Sequence, residues 1–203
     1  WVCGHNGSVG AIWKTTNGGV TLVSQLASGT SGMDRIFFLP ERINGEYTGW
    51  CSQSSFFRKT TNSGASWFAL PSFGAAGYNQ FLFLNKDTGW AAASISGEVK
   101  MYKSINGGAN WVNQPMPSDA SFVDKSISRF VIIDKNIGYG IGGNRFINSQ
   151  FFGVIWKTTN GGLNWGYQQP DTSIHIGLYT VLDFSDSLNG WAYAGQPGIH
   201  TTN

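Results

Sequence analysis

Acid–base hydrolysis of an acetal bond needs two carboxyl groups held at a fixed separation, and this chain offers 11 Asp and Glu residues. Asp87, Asp134 and Asp186 recur in one kind of turn, as NKDTG, DKNIG and SDSLNG, which assigns them to hairpin capping. Asp119, Asp124 and Asp171 stand in longer connections and are the acids that capping leaves unexplained. Arg35, Arg42, Arg58, Arg129 and Arg145 are dispersed, so no arginine cluster for an anionic substrate is visible. His5, His175 and His200 are isolated, without HExxH or His-x-His spacing, and Cys3 and Cys51 lie far from any paired histidine. Neither a metal site nor a cofactor is expected from these residues. Cys3 and Cys51 each follow an aromatic, by two positions and by one; a disulfide and a pair of buried thiols both fit. GYGIGG at Gly138–Gly143 matches G-x-G-x-x-G, but a dinucleotide site needs a helix opening there, and NRFINSQFFG cannot supply one. The segment reads instead as a strand whose glycines allow neighbouring sheets to approach closely.

These side chains need a frame, and the frame is a repeat. The stretch IWKTTNGG stands at Ile12–Gly19 and again at Ile155–Gly162, with looser copies FRKTTNSGASW at Phe57–Trp67 and MYKSINGGANW at Met101–Trp111. IHTTN at Ile199–Asn203 begins a fifth. The aligned asparagines Asn17, Asn62, Asn106, Asn160 and Asn203 are spaced by 45, 44, 54 and 43 residues. A Gly-aromatic marker precedes each of the later copies at Trp50, Trp90, Tyr139 and Trp191, and Trp1 fits the same place. Still earlier come the apolar runs RIFFLP, QFLFLN, RFVIID and TVLDFS. Each unit therefore reads as four short strands: the apolar run, the Gly-aromatic segment, the segment entering Lys-Thr-Thr-Asn, and the segment around the following tryptophan. Asn-Gly and Asn-Ser-Gly are tight-turn chemistry, because Asn and Gly tolerate positive φ. No window holds a 3.6-residue apolar period, so helix is not expected. Four-stranded units of this length point to an all-β chain and a β-propeller.

The turn resembles the Asp box of the BNR repeat, Ser/Thr-x-Asp-x-Gly-x-x-Trp, found in sialidases, sortilin-type receptors, xyloglucanases and photosystem II assembly-factor propellers. Here it reads Thr60, Asn62, Gly64, Trp67; Ser104, Asn106, Gly108, Trp111; and Thr158, Asn160, Gly162, Trp165. The first copy is Thr15, Asn17, Gly19, with Leu22 in place of the tryptophan, and Asn replaces Asp throughout. The resemblance covers the whole chain and implies four-stranded blades, with Trp67, Trp111 and Trp165 buried against them. It also implies that the box is structural and lies away from any active site. A sialidase would need an arginine cluster, a tyrosine nucleophile and a Phe-Arg-Ile-Pro segment, and the last is absent from this chain.

Charged residues make up 12% of the chain, aromatics 15%, and the formal net charge is +2, so nothing points to a nucleic-acid partner. No apolar stretch is long enough for a membrane-spanning helix. The repeat divides residues 1–203, a single propeller region, into a partial blade 1–31, blades 32–71, 72–116 and 117–170, and a partial blade 171–203. Missing blades or neighbouring domains of the same polypeptide are expected, or closure by strands borrowed from the two termini. Low charge with abundant Gly, Asn, Ser and Thr suits an extracellular, surface or periplasmic bacterial protein.

Three connections depart from the repeat: Gln114–Ser126, Gly143–Gly153 and Gln168–Leu178. Strand alternation puts them on one face, opposite the short repeated turns. Variable loops on a rigid scaffold are where recognition concentrates. Arg145, Phe146, Asn148, Gln150, Phe151 and Phe152, with Asp119 and His175 from the neighbouring connections, form the candidate binding set for a protein or glycan. The function expected is a non-catalytic binding or assembly module; the alternative is a glycoside hydrolase fragment of sialidase or xyloglucanase type.

Overall fold

Short runs of Phe, Ile, Val and Trp broken every few residues by Gly, Asn or Asp cannot sustain a helix but suit antiparallel strands. The computed structural model describes the chain except residues 8, 29–31, 97, 118, 169–176, 195–197 and 202–203. Its described residues form strands and no helix. The first sheet holds β1 (Val2–Asn6), β2 (Val9–Lys14) and β3 (Val23–Ser28). The second holds β4 (Arg35–Ile43), β5 (Glu46–Gln53), β6 (Phe56–Thr60) and β7 (Phe68–Leu70). The third holds β8 (Gly77–Phe83), β9 (Gly89–Ile95), β10 (Glu98–Ser104) and β11 (Val112–Asn113). In the fourth, β12 (Phe122–Asp124) and β13 (Arg129–Ile132) both pair with β14 (Gly138–Ile147), followed by β15 (Gln150–Thr158) and β16 (Gly166–Gln168). The last holds β17 (Val181–Phe184), β18 (Gly190–Tyr193) and β19 (Ile199–Thr201). Apart from the added β12, each sheet meanders in chain order, the topology of consecutive hairpins. The chain divides into two compact units, Trp1–Ser96 with Ser104–Trp111, and Gly97–Lys103 with Val112–Asn203.

The repeated turn is closed by two side chains. In the second sheet the Thr60 hydroxyl donates to Asn62 Oδ1 at 3.0 Å and accepts from the Gly64 N–H at 3.0 Å. Asn62 Oδ1 also accepts the Ser66 N–H at 2.9 Å, and its Nδ2 donates to Ser66 Oγ at 2.8 Å. Thr15 with Asn17, Ser104 with Asn106 and Thr158 with Asn160 repeat the arrangement, at 2.9, 2.8 and 2.8 Å from the hydroxyl to the N–H of Gly19, Gly108 and Gly162. The asparagines close the turn through their side chains and are not themselves positive-φ residues. The positive angles fall on the next two positions: Gly18 and Gly19, Ser63 and Gly64, Gly107 and Gly108, Gly161 and Gly162. Asn203 lies outside the described residues.

Aromatic stacking joins one sheet to the next within each unit. In the first unit Trp1 stacks on Phe38 with ring centroids 3.9 Å apart, and Trp50 on Phe83 at 3.7 Å and 1°. In the second, Tyr139 stacks on Phe184 at 4.1 Å. Each phenylalanine lies over a glycine of its own sheet. A Cβ on Gly49, Gly89 or Gly190 would come within 2.5, 2.4 or 2.3 Å of Phe38, Phe83 or Phe184. The lysine before Thr-Thr-Asn sits over the aromatic of the paired strand, with Lys14, Lys59 and Lys157 each 5.1 Å from Trp1, Trp50 and Tyr139. Lys59 also donates to the Lys86 carbonyl at 2.9 Å, and burial pulls its pKa down.

Other expectations are refined. Trp165 is fully buried, and Trp67 and Trp111 are partly buried, their rings edge-on to Phe38 and to Phe57 and Phe83. Cys3 and Cys51 are free thiols around one apolar cluster with Ile12 and Met33, and burial pushes Cys51 up to about 12. The turn between the apolar run and the Gly-aromatic segment is capped by Asn85, Asp134 and Asp186, four positions before the glycine. Asp87 is therefore not equivalent to the other two; it pairs with Lys86 at 2.7 Å.

Gly89→Ala should lower stability by about 1–3 kcal/mol, since the Phe83 ring must leave its place. Gly77→Ala, whose Cβ meets nothing within 4 Å, should stay within about 0.5 kcal/mol of the parent. Urea unfolding midpoints of the two variants provide the comparison.

Candidate functional site

The departures from the repeat gather in the second unit. Ten residues lie between Ile137 and Asn148, and β14 takes them in as strand, so Gly143–Gly153 is a hairpin rather than a loop. The register slips between Ile141 and Asn144. At that slip Gly142 has φ +123° and Gly143 +71°, and a Cβ on either would meet backbone of Ser128 or Asp124 at 2.6 or 2.5 Å. The glycines thus make a bulge that lets the chain around residues 124–128 lie against β14. Trp156 Nε1 donates across it to the carbonyls of Gly142 at 2.9 Å and Ser126 at 3.1 Å. Beyond the bulge Arg145 pairs with Phe152, Phe146 with Phe151 and Ile147 with Gln150, and the turn residues Asn148 and Ser149 take φ of 49° and 63°. Two consecutive positive angles mark a tight hairpin turn.

This arrangement separates the candidate binding residues. Phe146 and Phe151 are 46% and 47% exposed, with ring centroids 4.9 Å apart, and Asn148 and Gln150 are exposed beside them. Phe152 is buried. Arg145 holds the base of the hairpin. Its Nε donates to Ser121 Oγ at 2.8 Å, its Nη2 faces Asp119 at 3.5 Å, and its guanidinium lies 4.6 Å over Tyr167 and 5.4 Å over Phe122. Phe122 in turn stacks on Trp156 at 5.2 Å. Asp119 accepts the Ser121 N–H at 2.8 Å and hydroxyl at 2.7 Å. Those donors, with Arg145 behind them, hold its carboxyl below the ordinary 3.8. His175 and Asp171 lie outside the described residues.

Next to β12 the Gln114–Ser126 connection and the start of β10 enclose an open cavity of about 610 Å³. Gln114, Met116, Val123, Asp124, Glu98 and Lys100 are among its lining residues. Glu98 accepts from Lys100 at 2.9 Å, and that hydrogen bond lowers its pKa. Asp124 accepts the Ser126 N–H at 2.8 Å and hydroxyl at 2.9 Å. The cavity escaped the sequence reading because Glu98 and Lys100 lie in an ordinary repeat strand. Among the described residues no group of Asp, Glu, His and Cys is arranged to hold a metal ion. No described helix is long and apolar enough to cross a membrane.

No protein-family model matches this chain, and no curated protein matches it. Among solved structures, a GH74 enzyme from Niastella koreensis superposes with a TM-score of 0.72 at 16% identity, covering 96% of this chain and 34% of that one. An ancestral GH74 enzyme superposes with a TM-score of 0.64 at 18% identity, covering 94% and 27% respectively. YCF48 from Cyanidioschyzon merolae gives 0.49 at 14% identity, covering 96% and 78%. The chain spans about a third or less of the length of the GH74 enzymes it matches. The likeness to them is one of fold: the chain is all-β and of β-propeller type.

Arg145→Met should cost about 1–3 kcal/mol by removing the ring contacts and freeing residues 119–122. Asp119 is more acidic folded than its ordinary 3.8, so its stabilisation is complete above that value and fades as pH falls through the folded pKa. Asp119→Asn should therefore unfold earlier than the parent at pH 7, with the gap closing in acid. Denaturation curves across pH would show it; a gap independent of pH would break the account.

Proposed function

We propose that this chain is a BNR/Asp-box propeller region of a larger secreted bacterial protein, and that it acts as a non-catalytic binding or assembly module. The observation that carries this reading is how the described carboxylates beside the departing connections are tied up in local hydrogen bonds. A general acid for glycoside cleavage needs a raised pKa. Asp119 and Glu98 shift the opposite way, held ionised by Ser121 and Lys100. Asp124 has both oxygens occupied by Ser126. Close by, Phe146 and Phe151 stand exposed on a tight hairpin, and paired aromatics of this kind often dominate interface energy. The Thr–Asn turn network supports the Asp-box assignment, with Asn62 Nδ2 donating where a carboxylate would only accept. Low charge content supports an extracellular or periplasmic setting. The partner is a protein or a glycan.

The second reading, a glycoside hydrolase fragment, draws its support from the fold shared with the GH74 enzymes and from the cavity that holds Glu98 and Asp124. Affinity electrophoresis through xyloglucan and sialylated mucin, with assay of released sugar, separates the two. No sugar release is expected, and any retention should weaken about tenfold when Phe146→Ala and Phe151→Ala are combined. Sugar release abolished by Asp124→Asn or Glu98→Gln in a folded protein would establish the hydrolase instead. Retention indifferent to the double substitution would move the binding surface off the hairpin.

A further inference from the structure

The two thiols of the first unit point at each other across a sheet boundary. Side chains alternate between the faces of a strand. Trp1 stacks on Phe38 of the second sheet, so Cys3, two residues on, is directed to that sheet as well. Trp50 stacks on Phe83 of the third sheet, so Cys51, the next residue, is directed back to the first. The cross-strand neighbours agree. Ile12 lies opposite Cys3 on β2, Ile36 lies opposite Cys51 on β4, and all four side chains join one apolar cluster with Met33.

The backbone fixes both strands at this level. The Met33 N–H donates to Gly4 O, and the next N–H, of Asp34, donates to Ser52 O, each at 2.9 Å. Gly4 follows Cys3 and Ser52 follows Cys51, so two consecutive amides hold the residues after both cysteines. Cys51 is fully buried and Cys3 partly so. Cys3 also adds to the rise in the Cys51 pKa, which puts the two sulfurs within electrostatic reach. The chain has no third cysteine to compete.

We propose that Cys3 and Cys51 form a disulfide when the folded chain meets an oxidising thiol–disulfide couple, tying the first sheet to the second. Cys3, the less buried thiol, attacks one sulfur of a small-molecule disulfide and expels the other as a thiol, leaving a mixed disulfide on the protein. Cys51 then attacks the Cys3 sulfur and expels the second small thiol. Two protein thiols and one small disulfide thus become one protein disulfide and two small thiols, which carry away both protons and both electrons. Burial slows these steps without setting their equilibrium. The equilibrium favours the folded chain, where the partners are already opposed. In the unfolded chain the ends of a loop 48 residues long (51 minus 3) must find each other.

The test equilibrates the 203-residue chain with a reduced and oxidised glutathione pair, once refolded in native buffer and once in concentrated urea. Exchange is quenched with acid, and the products are digested with trypsin and weighed. A peptide joining Trp1–Lys14 to Ile43–Arg58 reports the bond. Its equilibrium constant should be at least about tenfold larger in native buffer than in urea. The oxidised chain should unfold at higher urea than the reduced one, and Cys3→Ser should abolish that difference while keeping the reduced parent's midpoint. Should Cys3→Ser fold poorly, the two redox forms of the parent still decide the matter. Closure no more favourable in native buffer than in urea overturns the proposal. So does a glutathione adduct on Cys3 as the end product, a link between two chains, or an oxidised midpoint at or below the reduced one.

Discussion

A phenylalanine resting where a side chain is missing is the contact on which the rest of the structure depends. Gly49, Gly89 and Gly190 have no Cβ, so Phe38, Phe83 and Phe184 lie flat on the backbone of their own sheets. The free face of each ring meets the aromatic of the preceding sheet at stacking distance, as Trp1, Trp50 and Tyr139 show. Burial of such rings is worth about 1.5–3 kcal/mol each, and offset or parallel stacking adds about 0.5–1.5 kcal/mol. Because glycine and aromatic are adjacent in sequence, one dipeptide specifies both halves of the contact: the hollow for its own sheet's phenylalanine and the platform for the next. The fourth sheet varies it, with Ile132 above Gly138 in place of a phenylalanine.

The repeated polar turn serves the same contact from the edge. Its hydroxyl and asparagine close the hairpin internally, which leaves backbone carbonyls facing outward. Gly107 O accepts the Trp50 indole N–H at 2.9 Å, satisfying the one polar atom of a fully buried ring. Gly161 O accepts Lys103 at 2.7 Å, and burial lowers that lysine's pKa. The same turns tie to their own sheets, as the N–H groups of Gly107 and Gly161 donate to Asp87 O and Asn136 O, each at 2.7 Å. Lys, Thr, Asn and Gly therefore each have a separate task within IWKTTNGG, which is why the word recurs whole rather than as a loose pattern.

Strand order was legible because each strand's period and each turn's chemistry are local. The Gly-aromatic marker was legible as a position, while its partner was not: the covering phenylalanine lies in the following sheet, 33 residues after Trp50 and 45 after Tyr139. The candidate site was only partly legible. Spacing disclosed that residues 143–153 depart from the repeat, but length alone does not distinguish a loop from two added strand segments. The bulge at Gly142 and Gly143 makes the difference, and its cause lies around Ser126 and Ser128. Arg145 read as a ligand-binding residue because its neighbours are aromatic; its contacts to Ser121, Asp119 and Tyr167 are 22 to 26 residues away and had no local signature. Asp87 was misaligned because Asn85 caps as well as Asp does, so residue type did not fix the register.

A scaffold so fully specified by its repeat leaves little room for function inside it. Buried aromatics, glycines and turn hydroxyls are all committed, and a substitution at any of them acts first on folding. The residues the repeat does not constrain are, in the second unit, the outer half of the β14–β15 hairpin and the connection before β13. Arg145 explains how that outer half is kept in one conformation: it binds the connection through Ser121 and Asp119 while its guanidinium covers Tyr167 and Phe122. Side chains fixed in this way lose less freedom on binding. On the proposed reading, Phe146 and Phe151 would meet a partner from a ribbon already ordered by its base, and the arginine would serve recognition by position rather than by touch.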